Sequence, residues 1–266
     1  MLFVLYLTAT KIAIFVFLPT ATCAFHLMGL LHFIRRNTYH HVFFDLDRTL
    51  WDFERNRDLT LGQMYVEHRL ERVFGSLQTF SECYCRHNDR LWGYYGRHEI
   101  DKPTLRFKRF YDTLREFGLD DPTLAHTLDA DYIGLMPSHN ALVDGAAELL
   151  CYLSERNYQL HIITNGFSEV QSPKLERAGV LQHFQWVITS EQSGVHKPDP
   201  RAFGYALAKA NARKRESIMV GDNFEADIMG AMRFGMAQIY FNPNGTVPAH
   251  KPTHEVQHLL QIRNIL

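Results

Sequence analysis

Apolar residues in this chain fall into two rhythms. Val42-Phe43-Phe44, Leu160-His-Ile-Ile163, Trp186-Val-Ile188, Ser217-Ile-Met-Val220 and Ala237–Phe241 are short, β-rich runs, the pattern of strands buried on both faces. Between them lie stretches with helical spacing, over Ala141–Glu155, Glu169–Ala178, Arg201–Ala210 and Phe224–Phe234. Pro173 falls inside the second of these and is expected to interrupt it. A last helix is expected over Glu255–Leu266, after the turn residues Asn242-Pro-Asn-Gly245. Strands that alternate with helices of this length predict a doubly wound parallel sheet, an α/β fold.

From about Glu54 to Met136 the strand rhythm disappears. Apolar and aromatic positions recur at threes and fours over Leu59–Phe74, Phe80–Tyr95, Thr104–Phe117 and Thr123–Met136. Breakers separate them at Gly75, at Gly96 to Pro103 and at Gly118 to Pro122. The spacing predicts a four-helix insert, polar on its outer faces, between the first strand and the rest of the sheet. The expected organisation is therefore a tail over 1–38, an α/β core over 39–53 and 137–266, and a helical cap over 54–136.

The tail has its own character. Between Ile12 and Ile34 no Asp, Glu, Lys or Arg occurs, and Arg35-Arg36 closes the run. Its length suffices for a membrane span, although Pro19, His26 and His32 interrupt its apolarity. A secretory signal fits poorly, because Lys11 follows an apolar start instead of opening it. A translation start at Met28 is the preferred alternative. If residues 12–34 do anchor the chain, the arginines after the span favour a catalytic domain on the cytoplasmic side. The expected location is the cytoplasm.

Composition narrows the partners. An apolar fraction of 46% supports a sizeable core, and a net charge of −1 leaves no basic excess for a nucleic-acid backbone. Four cysteines, of which only Cys83 and Cys85 are close, form neither a zinc framework nor a disulfide ladder. They read as reduced thiols. The fifteen histidines show no metal spacing, and the sequence carries no signal of oligomeric state.

The strand ends carry the candidate chemistry. Val42–Phe44 stops at Asp45-Leu-Asp47, Leu160–Ile163 at Thr164-Asn165-Gly166, and Ser217–Val220 at Gly221-Asp222, while Lys197 lies in the loop His196-Lys-Pro-Asp-Pro200. Singly these are ordinary features: a solvated turn, a helix cap, a common loop. In this order, three of them at strand ends of one sheet, they describe a phosphoryl-transfer site. Asp45 is the expected nucleophile, forming an aspartyl phosphate. Asp47 is the expected acid for the leaving oxygen and then base for water. Thr164 and Asn165 are expected on the phosphate oxygens, with Lys197 neutralising nucleophile and phosphate. The crowded carboxylates call for Mg²⁺, with Asp45, Asp222 and the main-chain carbonyl of Asp47 as ligands and Asp227 behind them.

The same residues carry a resemblance. Asp45-Leu-Asp47-Arg-Thr49, Ile163-Thr164-Asn-Gly, Lys197-Pro and Gly221-Asp222-x-x-x-x-Asp227 resemble the four motifs of the haloacid-dehalogenase-like hydrolase superfamily, from about residue 40 to the C-terminus. Leu91-Trp92-x-x-Tyr95, Ile100, Leu105, Arg109-Phe110, Leu175-Glu-Arg-x-Gly179 and Ser190-Glu-x-x-Gly194-Val-x-Lys-Pro198 are similar to its pyrimidine 5′-nucleotidase branch. Ser138–Ala146 departs from the pattern in lacking a proline before Gly145, which bears on the hinge. The resemblance implies a Mg²⁺-dependent phosphatase of a small phosphate monoester, a pyrimidine nucleoside 5′-monophosphate, with substrate choice in the cap. Trp92, Tyr95 and Arg109 are candidates to meet the base, although the spacing of Trp92 and Tyr95 alone favours packing within the helical bundle, and Trp51 and Phe53 are candidates to close over the leaving group. The alternatives are a sugar-phosphate phosphatase and, less favoured, a dehalogenase or a non-catalytic module; the last would be expected to lack Asp45, Asp47, Lys197 or Asp222.

Overall fold

The computed structural model describes residues 39–266 and, before them, the paired two-residue strands Leu7–Thr8 and Lys11–Ile12. The apolar run expected as an anchor lies, beyond Ile12, outside the described residues. Among the described residues no helix is long and apolar enough to cross a membrane. The chain divides into two units, Met1–Thr38 and Tyr39–Leu266, and the second holds all that follows.

Its centre is strand β1 (His41–Phe44), whose last three residues are fully buried. Around it stand β2 (Gln159–Thr164), β3 (Phe184–Thr189), β4 (Ser217–Gly221), β5 (Ala237–Phe241) and β6 (His254–Val256). The order is β3-β2-β1-β4-β5-β6 and every pairing is parallel. The chain winds outward on one side of β1, then restarts at β4 on the other. The crevice beside Asp45 and Asp222 is therefore the topological switch point, where sheets of this order bind ligands.

Alternation along β1 sends its side chains to two cores. Val42 and Phe44 join Ile162, Val220 and the helix Ala146–Glu155 on one face. Phe43 joins Ile163, Met219 and Phe203 of the helix Pro200–Lys209 on the other. Each such side chain contributes about 1.5–3 kcal/mol on burial, so a rigid platform lies beneath the strand ends.

The insert consists of α1 (Phe53–Glu67), a single turn at Glu71–Phe74, then α2 (Leu77–Gly96), α3 (Lys102–Glu116) and α4 (Pro122–Leu135). Helix α1 starts earlier than its apolar spacing suggests because the Asp52 side chain accepts from the Arg55 amide and caps it. It stops at Glu67, and Arg69 turns the chain with a φ of 52°. Ser76, Asp101 and Asp121 cap the other three; α2 starts just past Gly75, while Pro103 and Pro122, expected as breakers, fall in the first turns of α3 and α4. Phe80, Tyr84, Phe110, Leu128 and Tyr132 pack their shared interior.

Three expectations for the core are corrected. The helix expected from Ala141 begins at Ala146, because residues 141–143 run alongside the residues leading into α1: Asp52 N donates to Ala141 O at 3.0 Å and Val143 N to Leu50 O at 2.9 Å. Pro173 does not interrupt its helix, α5 (Ser168–Arg177), which runs through it. The closing helix is absent: His254–Val256 adds an edge strand to β5, burying Val256, and only a 3-10 segment, Leu259–Asn264, follows.

Candidate active site

Residues as far apart in the sequence as Asp45 and Asp227 meet at the carboxyl edge of β1, β2 and β4. Asp45 leaves β1 with its amide donating to Val220 O at 2.8 Å. Lys197 reaches it from the loop beyond β3, its Nζ 2.6 Å from Asp45 Oδ1, 2.6 Å from Asp227 Oδ1 and 2.6 Å from Ile163 O. Burial opposes the charge on this lysine, but Asp227 and Asp45 outweigh it and hold the ammonium above its ordinary pKa. It is a fixed cation.

Around it the acids are crowded. Oxygens of Asp45, Asp222 and Asp227 lie within 4.8 Å of one another. Burial, with Asp227 and Asp222 adding to it and Lys197 opposing, raises the Asp45 carboxyl well above the usual range. Burial and Asp227 push Asp222 up to about 6, against the hydrogen bond from Thr49 Oγ1 at 2.9 Å. An all-oxygen donor set whose members resist ionising together is what a hard divalent cation relieves. Asp227 is held on both oxygens, by Lys197 and by the Asn223 amide at 3.1 Å, and so stands behind Asp45 and Asp222. Gly221 makes room for it: a Cβ there would lie 2.3 Å from Asp227 Oδ2.

Thr164 ends β2. Its Oγ1 accepts from the Gly166 amide at 3.1 Å and from Gln171 Nε2 at 2.8 Å, which leaves its own hydrogen to donate into the cavity. Asn165 lines the same cavity. Its carboxamide oxygen accepts from Lys197 N at 2.8 Å and its Nδ2 donates to Lys197 O at 3.0 Å. The side chain is thus engaged in fixing the lysine's loop.

Asp47 points its carboxylate elsewhere. Its carboxylate is not part of the acidic group; it turns to α5, where Lys174 Nζ lies 2.6 Å from Oδ1 and Gln171 Nε2 2.9 Å from Oδ2. Any contribution to a cation would come from its main-chain carbonyl. Gln171 and Lys174 belong to none of the sequence motifs; their i, i+3 spacing on a helix opening just after Thr164-Asn-Gly is the one local signal of them.

A cavity of about 500 Å³ opens from these residues into the insert, lined by Phe53, Asn88, Trp92, Arg109, Tyr132 and Phe167 among others. Trp92 stacks on Phe167 with centroids 4.9 Å apart. Tyr95 packs instead on Phe167 and His196. Arg109 is buried and paired with Asp129 Oδ1 at 2.6 Å, so its charge is already balanced. Trp51, expected as part of a lid, is fully buried beneath the Lys174 ammonium, 4.2 Å from its ring. Of that pair only Phe53 faces the cavity. A second cluster with ligand chemistry, Cys83, His87 and Glu116, is occupied by arginines: Arg86 pairs with Glu116, and Arg90 with His87 Nδ1.

A doubly wound sheet with catalytic-type acids and a lysine at its switch point, roofed by a helical insert, defines an enzyme of the α/β class. Residues 39–235 match the haloacid dehalogenase-like hydrolases, and the chain belongs to that family. It is 31% identical over 224 residues to the pyrimidine 5′-nucleotidase PynA of Streptococcus pneumoniae, covering 82% of this chain and 91% of that protein. It is 30% identical over 228 residues to the pyrimidine 5′-nucleotidase YjjG of Escherichia coli, covering 82% and 96%. Among solved structures, the putative hydrolase YfnB of Bacillus subtilis, bound to magnesium, superposes with a TM-score of 0.77 at 25% identity over 85% of this chain and 98% of that one.

Proposed function

We propose that the chain is a Mg²⁺-dependent phosphatase that hydrolyses pyrimidine nucleoside 5′-monophosphates through a phosphoryl group carried on Asp45. The observation that carries this reading is the Lys197 ammonium fixed between Asp45 and Asp227, with the Asp222 carboxylate and the Thr164 hydroxyl at the same strand edge. Lys197 and the Thr164 hydroxyl neutralise and orient the phosphoryl oxygens, and positioning of this kind supplies most of the catalysis in phosphoryl transfer. Asp45 attacks phosphorus; Asp47 gives its proton to the departing oxygen and afterwards takes one from the attacking water. Asp45, Asp222 and the Asp47 main-chain carbonyl would hold Mg²⁺, which when bound supplies the countercharge that lets nucleophile and phosphate approach. The magnesium-bound relative and the raised Asp222 carboxyl support this assignment.

In this reading residues 54–136 act as the cap over a core of 39–53 and 137–266, and the cap reads the rest of the substrate. The Trp92–Phe167 stack offers an aromatic wall for a flat base, and buried Asn88 offers an amide for its polar edge. The two pyrimidine nucleotidase relatives support that substrate class. The unbridged thiols of Cys83, Cys85 and Cys151 fit a reducing, cytoplasmic setting. A phosphate-release panel tests the reading: kcat/KM for UMP, dUMP or dTMP should exceed that for hexose phosphates by at least about tenfold, roughly 1.4 kcal/mol of transition-state binding. Equal or higher efficiency on hexose phosphates would overturn the nucleotide assignment.

A further inference from the structure

We propose that Lys174 and Gln171 are positioning residues for Asp47, holding its carboxylate in the one orientation from which it passes a proton to the departing alcohol. The inference rests on the phosphatase reading above and deepens it. Each oxygen of Asp47 has its own donor from a single face of α5: Lys174 Nζ at 2.6 Å and Gln171 Nε2 at 2.9 Å. Both donors are buried, at 3% and 1% exposure, whereas the Asp47 side chain is 22% exposed and sits in a loop. A carboxylate so placed would turn freely without them. Gln171 Nε2 also donates to Thr164 Oγ1 at 2.8 Å, so one amide braces the acid against the hydroxyl that meets phosphate. The space for that amide is reserved, since a Cβ on Gly166 would lie 2.0 Å from Gln171 Nε2. Beneath Lys174 the Trp51 ring forms an aromatic floor 4.2 Å from the ammonium. A bridge needed only to tie α5 to a loop would not require a buried cation on one oxygen and a shared amide on the other.

The reaction fixes what this placement must deliver. As an Asp45 oxygen bonds to phosphorus, the bond from phosphorus to the leaving oxygen breaks and the Asp47 proton moves to that oxygen. Water then attacks phosphorus, the bond to Asp45 breaks, and a water proton returns to Asp47. A nucleoside alkoxide needs that first proton, whereas p-nitrophenolate leaves without it.

The test is therefore first-turnover release of the alcohol by Lys174→Met and Gln171→Leu, with UMP and with p-nitrophenyl phosphate. Nucleoside release should slow about 100-fold in Lys174→Met, nitrophenolate release less than about fivefold, with KM nearly unchanged. Lys174→Arg should restore much of the rate, and Lys174→Met should cost nothing further in an Asp47→Asn background. Equal slowing of both substrates, a KM rise for both, or an added loss on Asp47→Asn would overturn the proposal. If Lys174→Met does not fold, Gln171→Leu and Lys174→Arg carry the same comparison. If the wild type prefers hexose phosphates, glucose 6-phosphate replaces UMP, because its alkoxide also needs a proton; the substrate reading then fails while this test stands.

Discussion

At the scale of single residues, one ammonium faces three carboxylates, and that imbalance governs how the pocket meets protons and metal. Asp222, pushed up to about 6 by burial and Asp227, is ionised at neutral pH and takes a proton below about pH 6. Metal and proton compete for the same oxygens, so the apparent Mg²⁺ affinity of the proposed site should be high at pH 7.5 and fall progressively as pH drops below about 6. Titrating Mg²⁺ by calorimetry at several pH values checks this; an affinity flat from pH 7.5 to 5 would contradict it. The residues themselves were legible because strand ends and motif spacing mark them: Asp45, Thr164, Lys197 and Asp222 all reach one edge. Their partners were less so. That Asn165 holds the Lys197 backbone and that Asp47 turns to Lys174 depends on contacts 32 and 127 residues apart, which no local pattern encodes.

Among the elements, β1 and β2 share a buried histidine with no part in the chemistry. His161 of β2 packs between His41 and Phe43 of β1, with its Nε2 3.1 Å from His41 Nδ1. Burial, with His41 adding to it, holds its ring down to about 3 against an ordinary 6.5. The folded chain therefore keeps His161 neutral where the unfolded chain protonates it. Its stabilising share is complete above about pH 6.5 and is lost as pH falls toward 3, on the order of 5 kcal/mol over the window. His161→Phe should flatten the decline of unfolding free energy between those values, measured with urea; an unchanged slope would contradict the account. Strands buried on both faces were readable as continuous apolar runs, and helix starts in the insert as capping residues after breakers. The closing segment was not. Val256, Leu259 and Ile262 are spaced as a helix would space them, yet the free edge of β5 captures the first as a strand.

For the whole molecule, Tyr39–Leu266 closes its own cores on both faces of the sheet and in the insert. A chain starting at Met28 should accordingly fold and keep kcat/KM within about twofold of the full chain; an insoluble or inactive product would show that the preceding residues are part of the fold. The insert connects to the core through residues 50–52 and 141–143, and again through Lys102, which pairs with Glu169 and Glu191 at 2.7 Å each. Pockets formed between two such parts, one presenting charge and the other aromatic rings, divide the work between reaction and recognition. The helices of the insert were visible as a change of rhythm, whereas the residues that line the cavity were not, since Trp92 and Tyr95 lie three apart on one helix but only the first of them faces it.

Covalent catalysis by Asp45 is the claim on which the rest depends. The most direct measurement is acid quenching during turnover of ³²P-labelled UMP, followed by peptide mapping of the protein. The account predicts hydroxylamine-sensitive label on the peptide carrying Asp45, and neither label nor turnover in a folded Asp45→Asn variant, whose rate should fall by several orders of magnitude. Label elsewhere in the wild type, or activity of Asp45→Asn within about tenfold of it, would contradict the account.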